Sequence, residues 1–281
     1  MANIATYILA PNFSYHPNTS ICIGDIVQYP DDPTKPLSSV PDAEISGKTE
    51  SHFDYDNELS SQNSFSLRGS IWANFLEKAT AKIDGGKSDE LLTKYTVRRL
   101  ETVYFKKQPT DTEAAKRIES SNDVSAAINS GLLGKKPVFM ITGLKIARGF
   151  TVSRLIESQS DAAGKPGAPI ADDVEVGMDV SYHHKKGLDQ KHRSGQDIVF
   201  AYQLHMITHK GWFHKAVDIT VYRSPASFLN EEEKGRVDAE PIVVAEVDEC
   251  ILRDSDNELE MEAVSAEDGG KDCRCIMFCQ N

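Results

Sequence analysis

Ten consecutive residues, Asp173 to Tyr182, constrain this chain more than any other stretch. Val174, Val176, Met178, Val180 and Tyr182 alternate strictly with Asp173, Glu175, Gly177, Asp179 and Ser181. Period-2 alternation predicts a strand with one apolar and one polar face. Such a strand can cover a soluble core, and at about 9–11 residues a tilted one also crosses a bilayer. An earlier strand, Gly149 to Ser158, precedes it across a Gly/Pro/Ala linker. The basic clusters His183–Lys186 and Lys191–Arg193 follow it. The pattern predicts a long amphipathic hairpin framed by two apolar strands, Val138–Ile146 and Ile198–Thr208.

A second hairpin of similar pattern is expected earlier. Phe65, Leu67, Ile71, Ala73 and Phe75 share one face of an alternating run, with Trp72 the exception, and a partner segment spans Leu91 to Lys107. That partner's alternation breaks at Arg98-Arg99, which predicts a bulge. Residues 30–62, rich in Pro, Asp and Ser, read as a loop. Residues 110–133 read as helical, with Asp111 or Thr112 as cap, a stripe of Ala114, Ala115 and Ile118, and a break at Ser120–Asn122. A strand at 216–222 and a short helix opening at Ser224-Pro225 and ending near Gly235 come next. Pro241–Leu252 reads as a strand or buried arm, and disorder is expected from Arg253 onward.

Charge divides the chain. Residues 231–281 hold 16 Asp/Glu and 5 Lys/Arg, a net of −11, whereas 1–230 hold 27 and 26, a net of −1. An acidic tail of this kind either solubilises the chain or masks basic patches on a nearly neutral body. No apolar run approaches the ~18 residues of a membrane helix. Met1–Ala10 has no basic n-region, so a secretory signal is not expected. Five cysteines, an odd count without regular spacing, fit a reducing compartment. Cys273, Cys275 and Cys279 are candidates for acylation, with inert surface thiols as the alternative.

No catalytic constellation emerges. Phosphate loop, dinucleotide fingerprint and nucleophile elbow are all missing from the sequence. Of eight histidines, six lie between His183 and His214, without a carboxylate partner at ligand spacing. They read as solvated or basic-patch residues, and neither metal nor cofactor is expected. Two basic groups, Lys185, Lys186, Lys191 and Arg193, and Arg98, Arg99, Lys106 and Lys107, fit acidic lipid head groups. Nucleic acid is not expected as a partner, because the body carries no net positive charge.

The opening Phe13-x-x-x-Pro17-x-x-Ser20-Ile-x-Ile-Gly-Asp-Ile26 resembles the early segment of gasdermins, as does the later strand, hairpin and Ile198–Leu204 run. Ala5 to Phe13 looks like the start of fungal gasdermin-like proteins, regulators of cell death in allorecognition between incompatible strains. The resemblance covers about residues 1–235. It implies an α+β fold, a twisted antiparallel sheet with surrounding helices. In that fold two long hairpins, here Ser64–Lys107 and Gly149–Lys191, become membrane strands of an oligomeric barrel. Val174, Val176, Met178, Val180, Tyr182, Phe65, Leu67 and Ile71 would form their apolar faces. Two departures stand out: residues 236–281 form only a short acidic tail in place of a helical inhibitory domain, and Met1–Thr19 lacks Lys and Arg.

The expectation is therefore a non-enzymatic pore former, cytoplasmic when inactive and at the cell membrane when active. Its partners would be acidic phospholipids, self or allelic gasdermin-like chains, and an activating protease. The alternative is a soluble β-rich protein-binding module with an acidic recruiting tail.

Overall fold

In the computed structural model, which describes residues 4–60, 67–81, 91–130, 136–156, 195–210, 241–255 and 259–279, two long strands form the spine. The first elements are short: β1 (Thr6–Leu9), β2 (Ile26–Val27), β3 (Pro36–Ser38), α1 (Asp42–Ile45), β4 (Thr49–Tyr55) and β5 (Leu59–Ser60). Next come α2 (Ile71–Ala81), β6 (Leu91–Val97), β7 (Arg99–Phe105), α3 (Asp111–Ser120) and α4 (Asn122–Ile128). The spine strands β8 (Val138–Ile156) and β9 (Gln196–His209) precede β10 (Ile242–Glu246), α5 (Glu249–Ser255), β11 (Met261–Asp268) and β12 (Lys271–Phe278).

One antiparallel edge of β8 meets β9, from Val138–Ile207 to Phe150–Gln196. Its other edge is shared in turn by β2, β7 and β6. On the far side of β9 lie β1 and β10, and β12 joins β1 in parallel while β11 closes the edge. The result is a large, open and mostly antiparallel sheet.

Alternation along the spine builds two cores, because successive side chains point to opposite faces. Val138, Met140 and Ile207 pack with Ala114, Ile118, Val124 and Ile128 of the α3–α4 pair. Phe139, Ile141 and Met206 belong to the larger opposite core, which holds Phe13, Trp72, Phe75, Phe150 and Phe200. The Trp72 ring meets Phe200 edge-on at 5.1 Å and Phe150 at 5.9 Å. The helix break expected near Ser121 is present: Ser121 caps α4. The cap of α3 is Thr110 rather than Asp111 or Thr112, and a reciprocal bond from Glu113 completes a capping box.

Four expectations are corrected. The run taken as a strand from Ser64 is helix α2 from Ile71 onward, and Ile71, Trp72, Phe75, Leu76 and Ala79 are its buried stripe. That stripe has helical spacing, and Trp72, which broke the alternation, is its second member. The 30–62 segment contains β4, paired with β7 from Thr49–Phe105 to Tyr55–Leu100. The two strands expected at 138–146 and 149–158 are one continuous β8, Val138–Ile156, with Gly149 at positive φ within it. Disorder from Arg253 onward gives way to the β11–β12 hairpin, whose Gly269 and Gly270 take φ of 57° and 78°. Two glycines at positive φ suit the two-residue hairpin turn that joins Asp268 to Lys271.

His205 of β9 is buried, and its Nδ1 lies 2.9 Å from the Thr142 hydroxyl. Desolvation lowers its pKa to about 4, so the ring is neutral near pH 7. Because the folded value lies below the unfolded ~6.5, stability is fully present above pH ~6.5 and is lost as pH falls toward 4. The loss should reach about 3 kcal/mol, and a His205→Asn variant should lack this component in urea titrations at pH 7 and pH 4.5. Identical pH slopes for both proteins would remove His205 from the acid sensitivity.

Candidate functional site

Most of the second expected hairpin lies outside the described residues, including Val174, Val176, Met178, Val180, Tyr182, Lys185, Lys186, Lys191 and Arg193, as does Phe65 of the first. What is described are the parts of β6, β8 and β9 that adjoin these segments. The pairing of β9 with β8 ends at Phe150–Gln196, whereas β6 continues beside β8 from Thr96–Thr151 to Leu91–Ile156. The inner strands of the two expected hairpins are thus hydrogen-bonded neighbours.

A matched pair of irregularities marks the place where the pairing changes. The β6–β7 run breaks at Arg98, whose N–H donates to the Arg148 carbonyl at 2.9 Å. Across from it, Gly149 has φ +64°, and a Cβ there would lie 2.8–2.9 Å from the Arg98 side chain. Glycine is required at this position for both conformation and space. Arg148 anchors the kink by donating to Glu101 at 2.6 Å and to Asp197 at 2.7 Å. Asp197 also accepts the Gly149 N–H at 2.8 Å. Strands β7, β8 and β9 are therefore tied together at the point where β6 takes over from β7 beside β8.

The basic group expected along β7 is split. Arg98 and Arg99 sit at the kink, the Arg99 guanidinium lying over the Phe53 ring at 4.5 Å. Lys106 and Lys107 lie just past the other end of β7, about 25 Å away at the rise of an extended strand. Leu67 is half-buried beside the large core and Ile71 is buried in it from α2, so neither occupies a strand face here.

The C-terminal cysteines are also separated. Cys273 and Cys275 are buried on β12, and Cys279 is exposed. The hydrogen bond between the two buried thiols, then burial, pushes the Cys275 thiol far up. Acylation of Cys273 or Cys275 would require opening the sheet, which leaves Cys279 as the accessible thiol of the three.

A cluster not anticipated from the sequence joins the tail to the body. Lys145 of β8, 1% exposed, donates to Asp268 at 2.5 Å and to Asp54 at 3.1 Å. Thr102 donates to Asp54 at 2.7 Å, and the Tyr7 hydroxyl donates to Asp268 at 2.6 Å. Burial, then the Asp268 charge, holds the Tyr7 phenol far above its ordinary range, so it remains a neutral donor. The cluster unites β1, β4, β7, β8 and the end of β11 on one cation. Its sequence signal was the one charged residue, flanked by Leu144 and Ile146, in the run 138–146.

The described residues define a mixed α/β protein built on a large, twisted, open and mostly antiparallel sheet with few helices. Compared with protein-family models the chain matches none, and compared with the curated proteins it has no match either. Among the described residues no group of three or more His, Cys, Asp or Glu is placed to hold a metal ion. Among the described residues no helix is long and apolar enough to cross a membrane.

Proposed function

We propose that this chain is a gasdermin-like pore former that oligomerises in acidic-lipid membranes through two amphipathic β-hairpins and executes cell death in allorecognition. The observation that carries the reading is the extension of β6 and β8 past the Arg98–Gly149 kink as a paired unit. Two long strands hydrogen-bonded in this way are the arrangement a barrel segment needs. Isolated strands leave backbone groups unpaired in hydrocarbon, so insertion must be coupled to closing a ring. The rival is a soluble β-rich protein-binding module with an acidic recruiting tail, and the pairing of 261–278 within the sheet limits how much of that tail could recruit.

The experiment is dye release from liposomes. The protein, once activated, should empty vesicles containing acidic phospholipid and spare those of phosphatidylcholine alone. Val176→Asp or Met178→Asp should suppress release, since a charge on the lipid face of a barrel strand costs up to a few kcal/mol. Exchanging Lys185, Lys186, Lys191 and Arg193 for Ser should weaken vesicle binding, by about 1 kcal/mol per cation at low salt. Binding unaffected by salt, or release unaffected by an aspartate in 174–182, would sink the proposal.

A further inference from the structure

Lys106 and Lys107, at the end of β7, border a cavity of ≈ 660 Å³ between α1, β7 and α3. That is within the ~300–1,000 Å³ range of small-molecule sites. Its inner wall is apolar. The ends of Ile45, Phe105 and Val40 converge on Gly24, lying 2.6, 3.5 and 3.7 Å from where a Cβ would stand. With φ +86°, Gly24 lets these side chains close over the backbone.

The rim has the opposite charge to the chain. Against a net −12 for the whole sequence, the cavity is lined by Lys48, Lys106, Lys107, Lys116 and Arg117, with only Glu44 and Glu113 opposing them. Glu113 is already engaged: it accepts from the Thr110 N–H and hydroxyl at 3.0 Å each. Those bonds hold its carboxyl below the usual range. Arg117 is also committed, donating to the Gly24 and Ser38 carbonyls at 3.1 and 3.2 Å, so it shapes the wall. Lys48, Lys107 and Lys116 are exposed and form no ion pair with the described residues. Lys48 and Lys116 also lie within the field of the Glu113 charge, yet the rim keeps an excess of cations, and an apolar wall beneath it suits a ligand with one anionic head on an apolar chain.

We infer that this cavity binds a monomeric single-chain anionic amphiphile of the fatty-acid class. The size of the cavity favours one acyl chain, and the lysines receive its carboxylate. This binding belongs to the soluble fold and stands apart from pore formation.

Calorimetric titration of the full chain with sodium dodecanoate, kept below its micelle concentration, tests the inference. One molecule should bind per chain, with little binding of 1-dodecanol or inorganic phosphate. The Lys107→Glu/Lys116→Glu double variant, checked for folding by circular dichroism, should bind about tenfold or more weakly. Should that variant lose its fold, Lys48→Gln/Lys116→Gln provides the same comparison. No binding, several molecules per chain, equal affinity for dodecanol or an unchanged affinity in the folded variant overturns the site. Tighter binding of monomeric dihexanoyl phosphatidylserine overturns the single-chain assignment. Liposome leakage by the activated protein, measured alongside, separates the two ideas, since dodecanoate binding without that leakage supports the site while removing the pore reading.

Discussion

Ending the chain after Gly235 should abolish the folded soluble state rather than release an active body. The deletion removes Val247, Ile251, Leu252, Ala266, Cys273, Cys275, Ile276 and Phe278, all buried. Truncating one large core side chain to Ala costs about 2–5 kcal/mol, against a total stability of about 5–15 kcal/mol. It also strips β10 and β12 from β9 and β1, leaving two sheet edges unpaired. The 1–235 fragment should show no cooperative thermal transition and should accumulate in the insoluble fraction. A fragment that melts cooperatively, within a few degrees of the full chain, would defeat this account.

Cleavage differs from deletion. A protease site introduced in Asn230–Glu240 should yield two pieces that still elute together, because the tail is held by strand pairing and a shared core. If the tail restrains the body, leakage tracks separation of the pieces rather than the cut itself. The restraint then resides in the β12–β1 pairing and the Lys145 cluster, not in charge repulsion from a loose acidic tail.

The second large effect is expected at Lys145. Lys145→Met leaves Asp268 and Asp54 without the Lys145 ammonium, Asp54 keeping His52 at 3.0 Å, and removing one partner of a buried ion pair costs about 3–5 kcal/mol. The lower end applies, since the two carboxylate side chains are 16% and 22% exposed. Chemical denaturation should show a loss of about 3 kcal/mol, and Asp268→Asn in the same chain should recover part of it. Hydrogen exchange on β12 should quicken in the single variant. Additive losses in the double variant would show that the two residues are not coupled.

Local pattern was enough for much of the sheet. The apolar runs at 138–146 and 198–208 are strands because bulky β-formers alternate across two buried faces. The break at Arg98-Arg99 was visible because alternation fails there. The α3–α4 division followed from Ser120–Asn122, where side-chain hydroxyls compete for backbone N–H groups and cap the next turn.

Other features depended on contacts distant in sequence. Ile71–Ala81 satisfies both periods in part, and the aromatic cluster of Phe13, Phe150 and Phe200 selects the helix. The tail looked soluble and unstructured because its acidic excess dominates composition. Yet Arg274, Cys275 and Ile276 pair with β1, some 270 residues away along the chain, and Cys273 and Phe278 are buried beside them. Gly269-Gly270 suits the hairpin turn, but disorder is the expectation from sequence there; the sheet decided that Cys273, Cys275, Ile276 and Phe278 are buried. Lys145 could be read as an oddity in an apolar strand, but its partners come from β4 and β11, 91 and 123 residues away. The sequence alone determined strand periodicity, the charge division and the helix break, because these arise from neighbouring residues. The tertiary structure decided which edge each strand fills and which charges meet, because desolvation and pairing depend on what the fold brings from elsewhere.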